Sequence, residues 1–260
     1  MSGFYPVKGF EVSALQNSLL VVPSVSLANL PQLTADLLIT SLDLKRVGWI
    51  GKGDTVIPFA GLDGDVLVTG GMEVYGKHGL NIYVVQQRSP TLKIRKEAHV
   101  TLLRDFLSSV NPSFVLILTS INASEQDDAQ LLTPHQHILP PSPPMSPYIS
   151  KLLSLPRLQL HLIDPIQSTN GTSTYPPFLP SAGLTRRMLV ALRETSVPHG
   201  AIAAWCAEGD NRGDAVEFTR TVLKVLGEDV ELKEPLSWAG LFGSTEGWSG
   251  GWGTDAEIYG

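Results

Sequence analysis

Phe114-Val115-Leu116-Ile117-Leu118-Thr119 is the stretch of this chain that decides its fold. The run is almost wholly apolar and rich in branched side chains, which is typical of a β-strand covered on both faces. A helical pattern of apolar residues occupies positions 94–110 before it, and Asn111-Pro112 ends that helix. The stretch therefore predicts a buried strand in a sheet that helices flank.

The same alternation of strands and helices continues on both sides of this run. Apolar runs bounded by glycine or proline predict further strands at 18–22, 47–50, 66–69, 72–75, 80–87, 157–163 and 201–207. Apolar residues at helical spacing predict helices at 27–42, with Asn29 as the N-cap, at 184–192, and at 216–226, ended by Gly227. We expect a single α/β domain with a largely buried β-sheet flanked by helices.

Composition changes along the chain divide it into a domain and a tail. Residues 1–239 carry the α/β pattern, interrupted by a proline-rich loop at about 124–147 and an irregular segment at 168–180. The loop contains Pro140-Pro141-Ser142-Pro143-Pro144, and we expect no regular ladder or helix in it. Residues 240–260 are glycine-rich and lack apolar periodicity, so they are predicted to form a flexible C-terminal tail.

Bulk properties exclude several classes of partner. The 260 residues have a formal charge of −6 and no run of Lys or Arg, which argues against nucleic acid and anionic membranes. No apolar run is long enough to span a membrane. Hydrophobic residues make up 43% of the chain and charged residues 17%, an apolar excess that favours a protein partner.

The single cysteine, Cys206, cannot form an internal disulfide, and the first residues lack the pattern of a signal peptide. We therefore expect a cytoplasmic or nuclear protein. Cys206 itself lies in an apolar strand, where cysteine is usually a small buried hydrophobic residue rather than a nucleophile.

The sequence gives only weak evidence for catalytic or metal-binding residues. Gly247-Trp248-Ser249-Gly250-Gly251 matches a serine hydrolase elbow, but the elbow needs a histidine after it, and His199 is the last one. His135 and His137 lie in the proline-rich loop without a third ligand for zinc. Gly51-Lys52-Gly53-Asp54 lacks the spacing of a phosphate-binding loop. We predict no catalytic residue, no cofactor and no metal.

One acidic cluster leaves two interpretations open. Glu208, Asp210 and Asp214 follow the strand at 201–207, at the strand end where α/β folds place their sites, and could hold a cation or exchange protons. Alternatively, Asp210 or Asn211 caps the next helix, whose amino end favours negative charge. We prefer the cap.

Several segments, taken in order, resemble the proteasome assembly chaperone 2 family. They are spread over most of the chain and are weakest between 124 and 180. The matching segments are 22–29 (Val-Pro-Ser-Val-Ser-Leu-Ala-Asn), 32–33, 36–39, 47–50, 73–75 (Glu-Val-Tyr), 86–89 (Gln-Gln-Arg-Ser), 208–211 (Glu-Gly-Asp-Asn), 214–215, Pro235, 237–238 and 241–243.

The resemblance implies a fold and a function. Family members are similar in fold to purine nucleoside phosphorylases, an α/β arrangement around a mixed sheet, without being known as enzymes. The resemblance implies a heterodimer with a proteasome assembly chaperone 1-like subunit that binds the proteasome α-subunit ring during assembly. Some chaperones of this system end in a hydrophobic-tyrosine-any-residue (HbYX) motif that enters a pocket between α subunits, where its carboxylate meets a lysine. Ile258, Tyr259 and Gly260 match that motif.

Two other functions remain open from the sequence. One is a phosphorylase-like enzyme that uses Glu208 and Asp210 on a nucleoside or similar small molecule. The other is a generic adaptor whose partner has some other pocket for the tail.

Overall fold

The computed structural model describes residues 3–63, 67–144, 146–158 and 175–238, and ten strands lie within these ranges. The strands are β1 (Phe4–Pro6), β2 (Leu19–Pro23), β3 (Lys45–Ile50), β4 (Ala60–Asp63), β5 (Leu67–Gly70), β6 (Met72–Lys77), β7 (Leu80–Gln87), β8 (Phe114–Asn122), β9 (His135–Ile138) and β10 (His199–Cys206). The helices are α1 (Leu30–Ser41), α2 (Lys96–Val110), α3 (Pro147–Leu152), α4 (Gly183–Arg193) and α5 (Arg212–Leu226).

A mixed sheet of eight strands forms the centre of the fold, in the spatial order β1-β3-β6-β7-β2-β8-β10-β9. The inner strands β7, β2, β8 and β10 are mutually parallel, whereas β6, β3 and β1 on one side and β9 on the other pair antiparallel to their neighbours. Strands β4 and β5 form a separate antiparallel hairpin. The predicted α/β class with a mixed, helix-flanked sheet is confirmed.

The side chains of β8 show that both faces of the sheet are covered. Its alternate side chains enter two separate cores because successive residues of a strand point to opposite sides. Val115 and Ile117 pack in the core that α2 and α4 cover, and Leu116 and Leu118 pack in the core that α1 and α5 cover. No described helix is long and apolar enough to cross a membrane.

Of the described helices, α1 is the most deeply buried along its whole length. None of its residues is exposed, and its apolar side chains surround the helix rather than forming one stripe, as expected for a helix enclosed in a core. Asn29 occupies the predicted N-cap position, but its backbone is left-handed and its side chain makes no capping hydrogen bond. Asn29 is therefore at the predicted N-cap position, without the side-chain hydrogen bond that usually accompanies a cap.

The proline-rich segment contains a strand that the sequence did not predict. Residues His135–Ile138 form β9, which pairs antiparallel with β10 at one edge of the sheet. The stretch between Pro134 and Pro140 is long enough for a short strand, and its polar side chains find partners: Trp205 Nε1 donates to Gln136 Oε1 at 3.2 Å. The prediction of a loop without ladders is wrong for 135–138.

Other predictions fall partly or wholly outside the described residues. The strand at 157–163 is described only at Arg157 and Leu158, where Arg157 makes an isolated bridge to His137. The irregular segment 168–180 is described from Tyr175 onward, without a strand or helix up to Pro180. The tail 240–260 lies outside the described residues.

Gly76 permits the close packing of β6 on β7. A Cβ atom at this position would lie 2.2 Å from Cδ1 of Tyr83, whose ring is buried in the core. We expect Gly76→Ala to lower the free energy of unfolding by about 1–3 kcal/mol, because the ring has to move within a packed core. Chemical denaturation measures this change.

Gly183→Ala is the matched control for this substitution. Gly183 has no atom within 4 Å of an added Cβ and begins α4, where alanine favours the helix. An unfolding free energy within about 0.5 kcal/mol of the parent is expected for the control. Equal effects of the two substitutions would contradict the packing argument.

Candidate functional site

The predicted docking residues Ile258, Tyr259 and Gly260 lie outside the residues that the structure describes. The same holds for the hydrolase-like stretch Gly247–Gly251. The docking role of Ile258, Tyr259 and Gly260 stays a prediction, and the site is built from the described residues.

Asp210 caps α5. Its Oδ1 accepts the backbone N–H of Arg212 at 3.1 Å, and its carboxylate pairs with the Arg212 guanidinium, with Oδ2 and Nη2 2.6 Å apart. The hydrogen bonds from Arg212 hold the pKa of Asp210 below its usual range. Asn211 instead turns its amide back to the carbonyl oxygens of Ala207 and Gly209. The N-cap position itself is Asn211, whose side chain makes no capping hydrogen bond. Of the two residues predicted for the cap, Asp210 is the one whose carboxylate accepts an N–H of the first turn.

The carboxyl ends of β2, β8 and β10 are tied to one another by hydrogen bonds. The backbone N–H of Ser120 donates to Ser26 Oγ at 2.9 Å, and Ser120 Oγ donates to the carbonyl of Leu27 at 2.6 Å. Cys206 Sγ lies 3.7 Å from the same carbonyl, and burial raises the pKa of the Cys206 thiol to about 11. The thiol is therefore protonated at neutral pH, which agrees with the predicted core role.

His135 and His137 lie on the edge strand β9 rather than in a flexible loop. His135 Nδ1 is 2.8 Å from Thr221 Oγ1, and its ring stacks on Phe218 with centroids 5.0 Å apart. His137 Nδ1 donates to the carbonyl of Leu155 at 2.8 Å. Burial lowers the pKa of both imidazoles, that of His135 to about 4. Both rings have packing roles, and no three metal-binding side chains come together in the described ranges.

A row of buried and partly buried polar and charged side chains crosses the sheet from α1 over β7 and β6 to β3. We call it the polar ladder, and its members are Gln32, Asp36, Arg46, Glu73, Tyr75, Gln86 and Arg88. At the α1 end, Gln86 Nε2 donates to the carbonyl of Gln32 at 3.0 Å and to Asp36 Oδ1 at 2.7 Å. Arg88 Nη1 lies 3.0 Å from the same Asp36 oxygen. This end joins α1 to β7.

In the middle of the polar ladder a tyrosine links two charged residues. The Tyr75 hydroxyl donates to Glu73 Oε2 at 2.8 Å, and the charge of Arg88 acts on the same phenol. Burial, followed by the charge of Glu73, raises the pKa of Tyr75 well above its usual range. The phenol therefore stays protonated and acts as a fixed hydrogen-bond donor to the carboxylate.

At the β3 end the polar ladder holds the β4–β5 hairpin. Glu73, whose side chain is 0% exposed, pairs with Arg46 Nη1 at 2.8 Å and accepts the N–H of Gly70 at 3.1 Å. Arg46 also donates to the carbonyl of Val68 at 2.6 Å and stacks 4.6 Å above the Trp49 ring. One buried carboxylate and one guanidinium thus attach the hairpin to the sheet.

Most members of the polar ladder lie in segments that carry the family resemblance, but the sequence alone did not indicate a role for them. The segments 32–33, 36–39, 73–75 and 86–89 carried the family resemblance, and the structure brings them into one network. The signal in the sequence was a pair of charged residues, Glu73 and Arg88, beside otherwise apolar strands, because such residues are seldom buried unless paired. Nothing in the sequence showed which residues they pair with.

Glu73→Gln is expected to lower the free energy of unfolding by about 3 kcal/mol, because it leaves the Arg46 charge largely buried without its counter-ion. Chemical denaturation at neutral pH measures the change. Asp43→Asn is the control, since Asp43 pairs with Lys45 and Lys77 at the exposed surface, where ion pairs contribute little. A loss for Glu73→Gln no larger than that for the control would contradict a structural role for the pair.

Solved structures with the same fold include Pyrococcus furiosus PbaA, described as an archaeal homolog of proteasome-assembly chaperone. It superposes with a TM-score of 0.61 at 16% sequence identity and covers 87% of this chain and 88% of that one. At this identity the likeness concerns the fold alone. The mixed α/β fold is thus shared with a solved structure of an archaeal chaperone homologue.

Curated relatives cover nearly the whole chain. A Danio rerio protein named Proteasome assembly chaperone 2 is 27% identical over 253 residues, which are 91% of this chain and 95% of the relative. The Homo sapiens protein of the same name is 27% identical over 244 residues, 86% of this chain and 91% of the relative. Assembly chaperones are not an enzyme class. The family model of the PAC2 family matches residues 20–246, so the chain belongs to the PAC2 family.

Proposed function

We propose that this protein is an assembly chaperone for the proteasome core particle. The observation that carries the proposal is the extent of the similarity. The match to the Danio rerio chaperone covers 95% of that relative, so it includes nearly all of the chaperone rather than one shared module.

We also propose that the protein works as one subunit of a heterodimer with a proteasome assembly chaperone 1-like subunit, and that the pair binds the α-subunit ring. The apolar-leaning composition supports a protein partner, and the net negative charge does not favour nucleic acid. The buried, unpaired Cys206 supports the proposed cytoplasmic or nuclear location.

The proposed contact with the ring includes Ile258, Tyr259 and Gly260. Ile258 would fill an apolar pocket, Tyr259 would add an aromatic face and a hydroxyl, and the Gly260 carboxylate would pair with a lysine. Gly260 adds no side chain, so the first two residues and the charge provide the anchor. A contact of three residues is small, and the α/β domain has to supply most of the interface.

The arrangement of Asp210 does not support the alternative of a phosphorylase-like enzyme. It requires Glu208 and Asp210 to act on a small molecule, whereas the Asp210 carboxylate is engaged by Arg212 at the start of α5. A binding function fits this arrangement better than proton transfer does.

Affinity purification of the tagged full chain from cells, followed by mass spectrometry, tests the proposed function. We expect the chaperone 1-like subunit and proteasome α subunits to be recovered together in stoichiometric amounts. Recovery of the chain without any proteasome subunit or sister chaperone, while core particles are being made, would refute the proposal.

Deleting Ile258 to Gly260 is expected to weaken binding to the α ring by about tenfold and to leave pairing with the chaperone 1-like subunit intact, because the tail tunes an interface that the domain provides. Titration of the heterodimer with isolated α rings measures the loss. Tyr259→Ala should reproduce most of it. Trp252→Ala removes an aromatic side chain from the same tail outside the motif, and should change the affinity less than twofold. Equal losses for these two variants would remove the motif from the mechanism.

A further inference from the structure

The proline-rich segment carries a serine that the proposed function does not use. Ser142 is exposed to solvent and is followed directly by Pro143. We propose that Ser142 is phosphorylated by a proline-directed serine/threonine kinase, and that its phosphate pairs with Arg193. This modification site rests on residues of this chain alone and is independent of the proposed pairing with another subunit.

A serine or threonine precedes proline at four places in the sequence, namely Ser89, Thr133, Ser142 and Ser146. A kinase that recognised only the two residue types would accept all four. The structure separates them, because a kinase has to reach the hydroxyl group from solvent.

The hydroxyl groups of Ser89 and Thr133 are held inside the fold. Ser89 is 4% exposed, and its Oγ donates to the carbonyl of Ile57 at 2.7 Å. Thr133 is half-buried, and its Oγ1 donates to the carbonyl of Gln130 at 3.0 Å and accepts Gln136 Nε2 at 2.9 Å. A phosphate at either position would remove a donated hydrogen bond, and at Ser89 its charge would be buried.

The other two hydroxyl groups lie in the proline-rich segment and differ in exposure. Ser146 is half-buried and caps α3, since its Oγ accepts the backbone N–H of Tyr148 at 3.3 Å. Ser142 is exposed and lies in neither a helix nor a strand. A kinase can therefore reach the Ser142 hydroxyl without opening an element of the fold.

The residues around Ser142 indicate the class of kinase. The sequence between Ile138 and Tyr148 contains no Asp, Glu, Lys or Arg, so a kinase that selects its substrates by charge finds no charged side chain there. Pro143 favours an extended backbone at Ser142 and has no N–H for a kinase cleft to satisfy. A proline-directed kinase is the class that selects substrates by these properties.

The reaction is a phosphoryl transfer from a magnesium-bound nucleoside triphosphate. The Ser142 oxygen forms a bond to the γ-phosphorus as the bond from that phosphorus to the β–γ bridging oxygen breaks. The nucleoside diphosphate leaves, and the hydroxyl proton passes to the catalytic base of the kinase. The product carries a phosphate of charge about −1.5 to −2 at neutral pH.

Arg193 provides the counter-charge for this phosphate. It is the last residue of α4, and together with Ser142 and His199 it lines an open cleft of about 320 Å³. The guanidinium is exposed, and its Nη1 donates to the carbonyl of Tyr175 at 3.3 Å. A guanidinium has five N–H donors, so others are left for phosphate oxygens, whose geometry it matches. The pair would tie the segment after β9 to the end of α4.

Phosphorylation of the purified full chain tests the site. The chain is incubated with magnesium ATP and a cyclin-dependent kinase bound to its cyclin, and tandem mass spectrometry locates the phosphate. We expect Ser142 to be modified at least about tenfold faster than Ser89, Thr133 or Ser146, because a buried hydroxyl reacts only after local opening. Ser142→Ala and Pro143→Ala should each lower total phosphate incorporation about tenfold. Ser146→Ala is the matched control and should lower it less than twofold.

Phosphorus NMR of the phosphorylated chain tests the pairing with Arg193. The second pKa of a phosphoserine is about 6, and a neighbouring guanidinium favours the dianion. The titration midpoint of the parent should therefore lie about half a pH unit below that of Arg193→Gln. Arg186→Gln is the control, because Arg186 is exposed on the same helix but lines the groove between α2 and α4. It should leave the midpoint unchanged.

The two measurements can fail separately. Absence of phosphate in the parent chain, or incorporation that is unchanged in Ser142→Ala, would overturn Ser142 as the modification site. A midpoint that is the same in the parent and in Arg193→Gln would overturn Arg193 as the partner of the phosphate.

Discussion

The burial of both faces of the four parallel strands is the constraint on which the rest of the structure depends. Strands β7, β2, β8 and β10 are parallel, and parallel strands need covering elements on each side. Helices α2 and α4 cover one face and α1 and α5 the other, so the middle of the sheet has no free surface. The strand ends are closed as well, since Ser26, Ser120 and Asp210 are engaged with neighbouring backbone. Among the described elements, the antiparallel strands β6, β3 and β1 and the β4–β5 hairpin lie beside this closed middle.

The polar ladder occupies that remaining region. A buried ion pair such as Glu73 with Arg46 is not an efficient source of stability, because desolvation of the two charges offsets their attraction. The ion pair instead positions neighbouring elements. The Glu73 carboxylate accepts hydrogen bonds from Tyr75, Arg46 and Gly70, and these bonds fix the hairpin relative to β6.

The sequence predicted the interior of the fold better than its edges. Strands β8 and β10 and helix α5 were recognised because continuous apolar runs and a helical period ended by Gly227 are strong local signals. Strand β9 was missed because His135, Gln136 and His137 are polar and are stabilised by Thr221, Trp205 and Leu155, which are distant in sequence. The polar ladder was not assembled because the pairs Asp36 with Arg88 and Arg46 with Glu73 depend on strand register and helix placement. The tail motif Ile258 to Gly260 can be recognised in the sequence, but the partner proposed for it would lie on another molecule.

We propose that this member of the PAC2 family acts by attachment to an assembling particle and transforms no substrate. The most direct measurement is the rate at which purified α subunits form complete rings in the presence and absence of the chaperone pair. A rate or yield that rises with the pair, and saturates near one pair per ring, is the result the account requires. Ring formation indifferent to the pair at concentrations well above those of the α subunits would contradict it.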